Sequence, residues 1–259
     1  METWLRLAAV ALAAYVGVCL LLYLLQDWMI FFPRSLANEP TGAHVERTSL
    51  QRGDVTLRGW VVNRHSEGPL LFYFGGNAEE VSGLVDVFAR LDAVTVLMNY
   101  RGYGTSEGKP SAARLIEDAA AVVGGLRHRF GADRPVVLFG RSLGSGIATL
   151  AARDESIDGL ILLSPYRSIE RIAKRRFPFA PVGWLLRHNI DATLAINALP
   201  ERILVLYATS DSVVPTDESR AFLRELKSDP QVVTFDGPHN VPLEVPQLWR
   251  AIEGFLRQI

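Results

Sequence analysis

Sulfur is scarce in this chain. With one cysteine, Cys19, among 259 residues, an internal disulfide framework and any multi-cysteine zinc site are excluded. Charge imbalance is lacking as well. The 27 basic and 28 acidic residues give a formal net charge of −1, which removes the electrostatic reason to expect nucleic acid as a partner. Internal repeats and low-complexity blocks are absent too. What is present is 49% hydrophobic content in a chain long enough to bury an ample core, so it reads as one sizeable globular unit.

A more local absence is that of charge between Leu7 and Gln26, "LAAVALAAYVGVCLLLYLLQ". Twenty such residues at about 1.5 Å rise cross a hydrocarbon core of ~30 Å. Trp4 and Trp28 lie at the two ends, where amphipathic rings favour the bilayer interface. A cleaved signal peptide would have a shorter apolar part and a small-x-small cleavage site. Here the apolar run continues to Trp28, Met29, Ile30, Phe31 and Phe32, so an uncleaved anchor is the better reading. A buried soluble helix fits less well, because no polar face is present. Residues 1–32 are thus expected to be a single-pass membrane anchor with its juxtamembrane stretch. The flanking charges are few: Arg6 and the terminal amine favour an inside N-terminus, and Glu2 and Arg34 oppose it. Those few charges do not fix the topology; they permit a non-cytoplasmic placement of the domain that follows. Its lack of thiols would suit an oxidising compartment.

From residue 33 to 259 an extended linker (Pro33 to Glu46) leads into alternating strands and helices. "LRGWVV", "LLFYFGG", "AVTVLMNY", "PVVLFG", "IDGLILLS", "RILVLYATS" and "QVVTFDG" read as strands. "VSGLVDVFARL", "SAARLIEDAAAVVGGLRHRF", the run from Gly144 to Arg153, "DESRAFLRELK" and "PQLWRAIEGFLRQ" read as helices. Continuously apolar strands in a βαβ rhythm predict an α/β fold with a mostly parallel central sheet and helices on both faces. Ligands of such sheets sit at the carboxyl ends of the strands.

The residues just after each strand therefore carry the chemistry. "GRSLG", Gly140 to Gly144, matches G-x-S-x-G between a buried strand and a helix, the context a nucleophile elbow requires. Ser142 as a plain helix cap is the rival reading, but glycines on both sides point to a crowded turn. A serine nucleophile needs a base, and the base needs an orienting acid. Of the five histidines, His44, His65, His128 and His188 lie in a linker, a polar turn, an amphipathic helix and an irregular segment. His239 alone follows a predicted strand, in "FDGPHN". Asp211, just beyond "RILVLYATS", is the acid candidate. Asp236 is nearer His239 in sequence but shares its loop. The order Ser142, Asp211, His239 is the order used by α/β hydrolases.

With these residues, the chain resembles the α/β-hydrolase superfamily, and within it the membrane-anchored ABHD-type serine hydrolases with their bacterial and fungal relatives. "NYRGYGTSEGKPS" is similar to a signature loop of that group. "PYRSIERIAKRRFPFAPVGWLLRHNID" is similar to its short cap, expected as an insertion over about 166–199, and "QDWMIFFPR" to its juxtamembrane stretch. The resemblance implies an oxyanion hole made by the backbone N–H groups of Asn77 and Leu143. It implies no metal and no cofactor. One departure stands out: where the group carries His-Gly-Asn-Ala-Gly, this chain has Gly75, Gly76, Asn77, Ala78 and Glu79. Glu79 is expected to perturb His239 or to repel anionic substrates. The cap mixes Phe177, Phe179 and Trp184 with Arg167, Arg171, Lys174, Arg175, Arg176 and Arg187, which suggests a basic, aromatic rim at a lipid surface. The implied function is hydrolysis of an ester or thioester, with a small-molecule or lipid acyl substrate, through an acyl-enzyme. The alternatives are a peptidase or amidase of the same fold, and an idle hydrolase fold serving as a membrane-tethered binding module.

Overall fold

Apolar runs of five or six residues become the middle strands of one eight-stranded sheet in the computed structural model, which describes residues 1–131, 133–154 and 156–259. The strands are β1 (Val45–Arg52), β2 (Val55–Val62), β3 (Leu70–Phe74), β4 (Val94–Met98), β5 (Val136–Arg141), β6 (Gly159–Leu163), β7 (Ile203–Ala208) and β8 (Gln231–Phe235). Their order is β1-β2-β4-β3-β5-β6-β7-β8. The two pairings β1–β2 and β2–β4 are antiparallel, and all those from β4 to β8 are parallel. β3, β4, β6 and β7 are buried along their whole length, as a parallel sheet covered on both faces demands.

Helices α1 (Glu2–Ile30), α2 (Val85–Phe88), α3 (Ala112–Arg127), α4 (Leu143–Asp154), α5 (Ile169–Arg176), α6 (Val182–Leu185), α7 (Thr216–Glu225) and α8 (Pro246–Leu256) accompany the sheet. One face packs on Leu115 and Val122 of α3, Ile147 and Ala151 of α4, and Phe222 of α7. The other packs on Val85 and Phe88 of α2 and on Leu248, Ile252 and Phe255 of α8. The parallel strands β3 to β8 of this α/β-hydrolase arrangement present their post-strand loops at one edge of the sheet.

Two elements differ from the sequence reading. β1 begins inside the expected linker and runs on through residues given no assignment. Its sequence, VERTSLQR, is polar because it is an edge strand with one exposed face. It is joined to β2 through Gly53 at φ +62°, and it lacks the apolar run by which the other strands are recognised. "VSGLVDVFARL" forms a 3-10 turn, Val81–Leu84, and the single-turn α2 instead of one helix. Glu80 caps that turn by accepting from the Ser82 N–H at 3.1 Å.

α1 is 29 residues long, about 43 Å at 1.5 Å per residue, and is long and apolar enough to cross a membrane. Its C-terminal half lies along the cap formed by α5, α6 and their flanks. The Tyr15 hydroxyl donates to the Phe179 carbonyl at 3.0 Å. Gln26 donates to the Leu185 carbonyl at 3.0 Å and accepts from the Arg187 N–H at 2.7 Å. Asp27 holds Arg187 at 2.6 Å and His188 at 2.9 Å. Phe31, one residue past the helix, is fully buried in the main core.

Candidate active site

β5 ends in a turn that few sequences tolerate. Ser142 sits at φ +51°, a left-handed conformation that costs a non-glycine residue of order 1 kcal/mol or more. Its N–H donates to the Leu163 carbonyl at 2.8 Å. The flanking glycines are sterically required: a Cβ on Gly140 would meet Ser145 Cα at 2.6 Å, and one on Gly144 would run into the Phe74 carbonyl. The turn is largely buried, with Ser142 only 8% exposed, so the serine faces a recess in the protein.

The structure brings Ser142, His239 and Asp211 together across 97 and 28 residues of sequence. His239 Nε2 lies 2.8 Å from Ser142 Oγ and its Nδ1 lies 2.7 Å from Asp211 Oδ2. Asp211 is fixed on all sides. Its Oδ1 accepts from the N–H groups of Val213 and Val214 at 2.9 and 2.8 Å, and its Oδ2 also accepts from the Ser164 hydroxyl at 3.0 Å. A carboxylate so held presents one face to the imidazole and sets its tautomer, Nδ1–H toward Asp211 and Nε2 toward the serine. Ser164 is a site residue that the sequence reading missed. Its signal was its place directly after β6, the same post-strand rule that yielded Asp211.

The remaining candidates lie elsewhere. His44 faces Asp86 at 3.5 Å, His65 and His128 are exposed, and His188 is bound to Asp27. Asp236 accepts from the Thr209 hydroxyl at 2.9 Å.

Asn77 and Leu143 flank the serine. Leu143 opens α4, where a backbone N–H has no partner in its own helix, and the Asn77 N–H makes no backbone bond among the described residues. Gly76, just before Asn77, is so close to the elbow that its Cβ would lie 3.6 Å from Ser142 Cβ. The loop from Asn99 to Ser111 supports this segment from behind. The Tyr100 hydroxyl donates to the Gly75 carbonyl at 2.9 Å, and the Asn99 amide donates to Glu80 at 2.9 Å. Arg101 anchors the loop to α3 through Asp118, with a 2.8 Å bond between two buried side chains.

Glu79 does not act as expected. Its carboxylate accepts from the Tyr73 hydroxyl at 2.8 Å, the Gly76 N–H at 2.7 Å and the Arg141 guanidinium at 2.9 Å. Arg141 in turn donates to the Val241 carbonyl at 3.0 Å. The charge is thus neutralised by the variable residue of the G-x-S-x-G turn itself. Burial is the largest single influence and would lower the Arg141 guanidinium, but Glu79 and Tyr73 together outweigh it and hold it above its ordinary value. Burial, reinforced by Glu79, pushes the Tyr73 hydroxyl well above the usual phenol range, so it stays a donor.

The cap is also less cationic than its sequence suggests. Arg167 pairs with Glu218 and Glu225, Lys174 with Glu170, Arg175 with Asp217, and Arg187 with Asp27. Among the described residues only Arg171 and Arg176 of this group lack an ion pair. The aromatic part of the rim does stand out, with Trp184 92% and Phe179 54% exposed.

Comparison with known proteins agrees with the architecture. Residues 74–189 match the hydrolase family described as Serine aminopeptidase, S33. An uncharacterised protein of Mycobacterium tuberculosis is 28% identical over 97% of this chain and 94% of its own length. An uncharacterised membrane protein of Saccharomyces cerevisiae is 29% identical over 81% of this chain and 78% of its own. The lysophosphatidylserine lipase ABHD12 of Danio rerio is 33% identical over 58% of this chain, a stretch that is 45% of that lipase. Among solved structures, an esterase of Pyrococcus furiosus superposes with a TM-score of 0.72 over 88% of this chain and 97% of its own, at 17% identity. That likeness is one of fold.

Proposed function

The chain is an α/β hydrolase of the ABHD type, and from that premise we propose a membrane-anchored serine hydrolase that cleaves carboxylic esters or thioesters of acyl chains. The observation that carries the reading is His239 within hydrogen-bond reach of both Ser142 and Asp211, with the serine on a strained elbow. In this reading Ser142 Oγ attacks the acyl carbonyl carbon while His239 Nε2 takes its proton. Asp211 stabilises the imidazolium without itself taking the proton. The N–H groups of Asn77 and Leu143 receive the oxyanion, with the positive end of α4 behind them. His239 then returns the proton to the departing alcohol or thiol. Water attacks the acyl-enzyme by the same route and releases the acid, restoring the serine. Residues 1–32 serve as the anchor, residues 33–259 as the hydrolase domain, and about 166–199 as its cap. The lipid substrate in the name of the ABHD12 relative, together with the aromatic cap, supports an acyl or lipid-like substrate.

The family description favours one second reading, a serine aminopeptidase. Such an enzyme needs an anionic group for the α-ammonium of its substrate, and Glu79, the carboxylate bordering the turn, is already held by Arg141. The ester reading is therefore preferred. A series of p-nitrophenyl esters of increasing chain length, run beside aminoacyl p-nitroanilides, separates the two. Faster turnover of the anilides would reverse the order. Failure of a fluorophosphonate to label Ser142 would leave only the idle binding module.

A further inference from the structure

The last three turns of α1 and the cap do not close against each other. Between them lies a groove whose walls are Leu22, Met29 and Ile30 on one side and Ile169, Phe177 and Leu186 among others on the opposite side, with a cavity of about 90 Å³ between them. The lining is apolar apart from Gln26, whose amide is already committed to Tyr23, Leu185 and Arg187. A groove with no free polar group offers an apolar ligand nothing to leave unpaired.

Its position matters more than its composition. The carbonyl of Met29, a lining residue, accepts from the Asn77 side chain at 3.2 Å, and the Phe31 carbonyl accepts from the Ala78 N–H at 3.5 Å. The inner end of the groove therefore abuts the loop whose backbone flanks Ser142. Its other end runs along α1, toward the part of the helix that is apolar on every side.

We propose that this groove receives the acyl chain of the substrate, so that the membrane helix forms one wall of the binding site and the chain enters it sideways from the lipid. The proposal rests on Ser142 being the nucleophile. It explains why α1 ends directly on the candidate oxyanion loop instead of on a free linker. It also assigns a role to Ala173 and Ala180: larger side chains at these lining positions would fill the groove.

The test uses the full-length chain in detergent or vesicles and a fluorophosphonate carrying a dodecyl chain with a terminal diazirine. After the probe has phosphonylated Ser142, irradiation should cross-link its tail to peptides within residues 22–30 or 169–186. Cross-links confined to other peptides would overturn the groove while leaving the nucleophile intact, and an unlabelled Ser142 would overturn both. Filling variants give an independent reading. Leu22→Trp and Ala173→Phe should each lower kcat/KM for p-nitrophenyl dodecanoate by about tenfold or more and leave the butyrate ester within about twofold. An equal loss on both esters, or no loss on either, would also overturn the proposal.

Discussion

Glu79 stands where the hydrolases that this chain resembles carry glycine, and it joins groups from separate parts of the site: Gly76 on the candidate oxyanion loop, Arg141 on the elbow and, through Arg141, the Val241 carbonyl two residues beyond His239. Removing one partner of such a pair strands the other's charge. Arg141→Met is therefore expected to cost about 2–3 kcal/mol, the low end for a buried pair, because both side chains keep some exposure, 15% and 16%. Glu79→Gln in the same chain should recover part of that loss. Denaturant melts of both singles and the double would show coupling of about 1 kcal/mol or more, and strict additivity would mean the pair does not act as a clamp. The proposed nucleophile, Ser142, has a plainer test. Ser142→Ala should abolish ester turnover and probe labelling with the melting temperature nearly unchanged, and His239→Ala should cut the rate by several orders of magnitude. Ser164→Ala removes one hydrogen bond from the Asp211 carboxylate. Bonds to charged groups are worth about 1.5–3 kcal/mol, so kcat should fall roughly tenfold or more with KM little changed. Unchanged kcat would make Ser164 a packing residue.

At the level of elements, the distinction between anchor and domain is blurred by packing. Composition draws a boundary after Phe32, yet Phe31 is fully buried in the main core. A chain shortened to begin at Pro33 loses that ring and bares the cap. It should melt well below one beginning at Gln26, since deleting a buried phenylalanine costs about 3–5 kcal/mol. Equal melting temperatures would show that Phe31 contributes nothing to the domain. This also marks what the sequence can and cannot reveal. The buried parallel strands and the elbow were legible because each is encoded locally: an unbroken apolar run, or a serine between glycines after a strand. β1 was not, because an edge strand needs no apolar run. The docking of α1 on the cap was not, because it joins Tyr15 to Phe179 across 164 residues and leaves no periodic trace. Glu79 was noticed as an oddity, but its partner lay 62 residues away at a position any residue can fill.

Over the whole molecule, most cap cations are satisfied by neighbouring carboxylates while Phe179 and Trp184 point outward. Aromatic insertion should then outweigh attraction to anionic headgroups. Phe179→Ala with Trp184→Ala should slow hydrolysis of a vesicle-borne long-chain ester several-fold and spare a soluble butyrate ester, with only a modest effect of added salt. A steep salt dependence would restore the electrostatic view of the rim. The bond between Tyr15 and Phe179 has one more consequence. Tyr15 lies in the middle of the uncharged run from Leu7 to Gln26, the stretch that matches a ~30 Å hydrocarbon core. With α1 across the bilayer, the tip of the cap must therefore lie within the leaflet, and the hydrolase cannot swing free on a tether. Its substrate is then met by lateral diffusion, so velocity should follow the mole fraction of ester in the lipid: adding inert phospholipid should slow the enzyme, and adding buffer should not.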